Sequence, residues 1–158
     1  MTARDEAQDK AEEARDELRI KEFEKITLPV EIELKEQELE KSEKNIAYED
    51  LSENDRVIAE LTDSISFMAD EIKVTTNALD ELEKIENKTA EEEAKAQEYR
   101  ARLNELTVEH IKATKDLKVN TLENAYEALQ KRQEIDKAKF ERDIAHLTDE
   151  EKENKRNQ

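Results

Sequence analysis

Residues 24–37 read EKITLPVEIELKEQ. They hold the only proline of the chain, Pro29, and apolar residues at every second position: Leu28, Val30, Ile32 and Leu34. A period of two is a strand signal, whereas the flanking segments repeat their apolar residues every three or four positions, as helices do. A strand here would have no second strand segment in the chain to pair with, so it would need another copy or a partner. As a helix, the stretch is best opened by Pro29. Proline is tolerated in the first turn of a helix, costs about 3 kcal/mol in its interior, and pushes the residue before it out of the α region. The reading is therefore a new helix starting at Pro29, with Glu31 and Glu33 in its first turn and Ile32 in line with Leu39 and Ile46.

Composition agrees with helices. The 158 residues include no glycine, one proline and no cysteine. Glycine supplies the positive-φ positions of tight turns and helix ends. Its absence predicts few, long elements. Charged residues make up 45 % of the chain and aromatics 4 %, which suits helices burying one narrow stripe each.

The clearest periodicity lies in residues 51–82. Leu51, Ile58, Ile65, Ile72 and Leu79 recur every seven residues, accompanied by Leu61, Met68 and Leu82. This is the a/d seam of a coiled coil. Asn54 and Thr75 interrupt it. Each is either a polar residue tolerated near solvent or a register device, since a buried polar residue in a seam disfavours wrong pairings. Ile32, Leu39 and Ile46 keep the same spacing in another phase. A stutter near residues 46–51 reconciles the two, with LSEND at 51–55 as a local interruption the other option.

ENKTAEEE, residues 86–93, is the best turn candidate. Thr89 and Glu92 match a capping box, and Glu91, Glu92 and Glu93 sit where a helix N-terminus favours acid. Beyond it a broader stripe runs from Leu103 to Leu147, with some eleven-residue spacings. Thr148 and Glu151 form a weaker cap before a charged tail.

The expected fold is all-α. Residues 1–28 form an alanine-striped N-terminal helix. Residues 29–148 form an antiparallel coiled-coil hairpin with its turn near 86–90, and residues 149–158 a tail. Such a hairpin is expected to be oligomeric. The rival is a single long rod paired between chains.

The net charge of −17, carried mostly by residues 29–87, argues against nucleic-acid binding through a basic patch and against anionic membrane surfaces. No apolar run is long enough to span a bilayer. The N-terminus is charged from its fourth residue, unlike a secretory signal. The expected location is the cytoplasm or the interior of a particle. His110 and His146 belong to no metal-ligand pattern, and Asp143 with His146 is read as a surface pair. Phosphate and calcium loops need glycine. No catalytic, cofactor or metal site is predicted.

What remains is a non-enzymatic structural protein that self-associates and binds proteins through helical seams, as scaffold, spacer or adaptor. In composition it is similar to the scaffolding and accessory proteins of viral particles. The alternatives are a holding chaperone with clasping helices and an acidic binder that masks a basic partner.

Overall fold

The computed structural model describes residues 2–147 and 149–157. The protein is all-helical, with no strand among the described residues. The helices are α1 (Ala3–Tyr48), α2 (Glu53–Glu83), α3 (Ala90–Ala145) and α4 (Asp149–Arg156). Two units can be distinguished, Met1–Asp116 and Leu117–Gln158.

Pro29 does not open a helix. It lies inside α1, which runs unbroken across it. The residues around it explain this. Thr27 and Val30 are buried and Ile26 packs against the core, so the backbone is held on both sides of the proline. The Thr27 hydroxyl donates to the Glu24 carbonyl at 3.3 Å. Packing offsets the proline's cost, as tertiary context commonly overrides propensity. The helix begins instead at Thr2, which forms a reciprocal capping box with Asp5.

The period of two in 28–34 also resolves within the helix. Two residues turn an α-helix by about 200°, so alternate residues fall on opposite faces. Leu28 and Ile32 are exposed on one face; on the other, Val30 is buried and Leu34, one turn on, is 41 % exposed.

The single arm expected over 29–88 is interrupted at residues 49–52, where LSEND proves to be a break and not a stutter. Ser52 caps α2, its hydroxyl accepting from the Asp55 amide at 3.3 Å. Cross-helix pairs then run in opposite directions, Gln37 with Phe67 and Tyr48 with Asp63, so α1 and α2 are antiparallel. The reversal was hidden because it needs no glycine. Glu49 is right-handed helical and Ser52 extended, conformations open to any residue.

The second connection follows Glu83. Asn87 has φ of 52°, the left-handed position that asparagine tolerates better than most residues. Thr89 and Glu92 form the expected capping box: the Thr89 amide donates to Glu92 Oε1 at 3.0 Å, and the Glu92 amide donates to Thr89 Oγ1 at 3.2 Å. Arg100 and Arg102 of α3 reach back to Glu83 and Glu71 of α2.

The core of the first unit is built from all three helices: Val30 of α1, Ala78, Leu79 and Leu82 of α2, Ala96 and Tyr99 of α3. In the second unit, α3 continues to Ala145, where the Leu147 amide bonds the Ile144 carbonyl at 3.0 Å and Ile144 is buried. The proposed cap residue Thr148 lies outside the described residues.

Candidate interaction surfaces

The inward face of α1 carries Arg19, Gln37, Lys44 and Tyr48, and each of these has a specific partner on another segment. Arg19 donates to Glu92 Oε1 at 2.6 and 2.9 Å and to the Asn87 carbonyl at 2.9 Å. It thereby ties α1 to both the connection and the start of α3. Burial pushes the Glu92 carboxyl up, but the hydrogen bonds from Arg19 and Thr89 outweigh it and hold the group below its ordinary value. The buried Gln37 amide donates to the Phe67 carbonyl at 2.8 Å and to Glu33 at 3.0 Å.

At the far end of the pair, Lys44 donates to Asp63 Oδ1 at 2.7 Å and the Tyr48 hydroxyl donates to Oδ2. Burial pushes Asp63 up, yet these two donors hold it lower than a free carboxyl. Burial, reinforced by the bond to Asp63, pushes the Tyr48 phenol up to about 12. Lys41 and Lys44 lie over the Phe67 ring, at 5.4 and 5.5 Å from its centre, a cation–π arrangement. Sequence periodicity missed this set because its members are polar. The only signal was that Gln37 and Lys44 share a heptad phase with Val30.

The predicted seam divides along α2. Thr75, Leu79 and Leu82 are buried, and Ile58, Leu61, Ile65, Met68 and Ile72 are half-buried. Leu51 lies in the connection and is exposed. Asn54 is exposed in the single chain. Thr75 is 1 % exposed, and its hydroxyl finds no hydrogen-bond partner among the described residues.

A cleft of about 910 Å³ opens between α1 and α2 near the second connection. Phe23, Ile26, Pro29, Val74 and Ile85 line it, and Arg15 and Lys84 stand among its charged residues. Among the described residues there is no cluster of three or more metal-ligating side chains. No helix there is long and apolar enough to cross a membrane.

The largest uncovered features are apolar stripes. Ile32, Leu39 and Ile46 are 45, 68 and 69 % exposed. Each stands two residues after an inward residue, Val30, Gln37 or Lys44, and so on the opposite face of α1. The heptads after residue 50 belong to α2, beyond the break at 49–52, so the two phases are independent. In the second unit, Val119, Leu122, Tyr126 and Leu129 are also exposed.

No family model matches the chain, and neither the curated proteins nor the solved structures contain a significant match to it.

Proposed function

We propose that this protein is a non-enzymatic assembly component. It offers coiled-coil-type helix faces to other helices and serves as scaffold, spacer or adaptor in a larger complex, such as a particle. The observation that carries this reading is the outer stripe of α1. Ile32, Leu39 and Ile46 keep a seven-residue spacing on a face remote from the core. Scattered exposed apolar residues are ordinary, but large aliphatic residues repeated every two turns on one helix face are a pattern that suits an interaction site. Seven-residue spacing is the pattern that seats one helix on another.

The test is the mass in solution over a wide concentration range, with and without the triple substitution I32Q/L39Q/I46Q. Association that disappears in the triple variant at unchanged helix content supports the reading. A wild-type chain that stays single, and captures no partner helix through this face, would refute it.

A second reading has its own support. Glu31, Glu36, Glu38 and Glu43 flank the stripe and are exposed, which favours a basic partner. Binding of basic helical peptides that weakens as salt rises would favour that role, since exposed charges are screened over about 10 Å at 0.1 M.

A further inference from the structure

The two exposed stripes differ in charge, and the difference specifies an occupant. Along α1, Glu31 and Glu38 stand on one side of Ile32 and Leu39 and Glu36 and Glu43 on the other, with Lys35 in the row between Ile32 and Leu39 and Asn45 beside Ile46. All four carboxylates are exposed. Two α1 stripes laid together would set these carboxylates against one another in either orientation. A second α1 is therefore the wrong occupant, because like charges flanking a seam oppose pairing.

The stripe of the second unit has the opposite border. Val119, Leu122, Tyr126 and Leu129 follow alternating spacings of three and four and are 52–67 % exposed. Lys118, Arg132 and Lys139 border it on one side. Lys137 stands on the other with Glu123, and past Leu129 the row itself continues through Gln133 and Asp136, so bases outnumber acids along it by four to two. These too are exposed. Both stripes carry large aliphatic side chains, and their borders attract.

Resting on the reading of this protein as an assembly component, we propose that the outer face of α1 receives the residue 119–139 segment of α3 from a second copy. The contact joins two different surfaces, so it is heterologous. In one contact each copy uses one of its two faces and keeps the other free, so copies add head to tail into an open chain or a closed ring.

The experiment uses the full chain and two exposed-site variants, L39E and L129E, followed by sedimentation velocity and circular dichroism. The wild type is expected to gain mass with concentration and to lose it in about 0.5 M salt, where screening is nearly complete over a few Å. Each variant alone is expected to be a single chain of unchanged helicity. Mixed in equal amounts, they should form one-to-one pairs and nothing larger, because L39E still supplies an intact α3 stripe and L129E an intact α1 stripe. The charge reversal E38K, which leaves every apolar residue in place, should also weaken association, and K139E combined with it should restore part of the loss.

Association that survives L129E but not L39E would replace this contact by an α1–α1 contact. Association that neither variant alters would overturn the proposed contact and leave the assembly reading standing. A wild-type chain that is single at every concentration would overturn the proposed contact and the self-association it extends.

Discussion

Glu71 and Arg102 meet across α2 and α3 through two hydrogen bonds, of 3.1 and 2.9 Å. The carboxylate is buried, with 6 % of its side chain exposed, whereas the Arg102 side chain is 40 % exposed. The arrangement is asymmetric. Arg102 reaches water without its partner, but Glu71 does not.

That asymmetry sets a first prediction. R102A leaves a charge in the core with no donor, and a buried group so stranded costs roughly 1–3 kcal/mol. E71Q in the same background removes the stranded charge and should recover part of the loss. Urea unfolding of the two variants beside the wild type measures both steps. Equal stability of R102A and wild type would mean that the pair holds nothing together.

Thr75 gives the opposite sign. Its hydroxyl is buried without a partner among the described residues, so T75V exchanges an unsatisfied polar atom for a methyl group of similar size. Stabilisation by about 1 kcal/mol is expected, read as a rise in the denaturation midpoint. If T75V instead changes the oligomeric state, Thr75 acts on register, as its seam position suggested.

Pro29 offers a direct check on α1. Inside a helix, P29A restores a backbone hydrogen bond and removes a clash, and should stabilise by roughly 1–3 kcal/mol, toward the full interior penalty of proline. At the start of a helix the same change would be neutral or slightly unfavourable. Thermal unfolding with helicity recorded by circular dichroism separates the two.

Stability should fall at both ends of the pH scale. Asp63 is held below its ordinary value of 3.8 by Lys44 and Tyr48, against the opposing effect of burial. Its contribution is therefore complete above about 3.8 and is lost as pH falls through the lower folded value. Tyr48 and Tyr99 are each raised from 10.0 to about 12, chiefly by burial. Their contribution is complete below about 10 and is lost as the pH rises toward 12. D63N should flatten the acid limb, and Y48F with Y99F the alkaline limb, in unfolding free energies measured from pH 3 to 12. An acid limb unchanged by D63N would remove Asp63 from the account.

The places where sequence reasoning succeeded are local. Thr89 and Glu92 are three residues apart and cap the same turn, so their pairing is contained in four consecutive letters. The places where it failed depend on distant residues. Gln37 looks like a surface residue until Phe67, thirty positions on, presents a carbonyl to it. Lys44 and Tyr48 look unrelated until Asp63 joins them.

The sequence by itself therefore determined that the protein is helical. Apolar spacing, the lack of glycine and the capping side chains act within a turn or two of the backbone, and they need no tertiary partner. It also contained both rows of α1, the apolar Ile32, Leu39 and Ile46 and the mostly polar Val30, Gln37 and Lys44. Only the tertiary structure decided which of them faces inward. The more polar one does, because Arg19, Gln37, Lys44 and Tyr48 each find a specific partner on another segment, and packing there also holds Pro29 within a continuous helix. The more regular stripe, Ile32, Leu39 and Ile46, is left facing water.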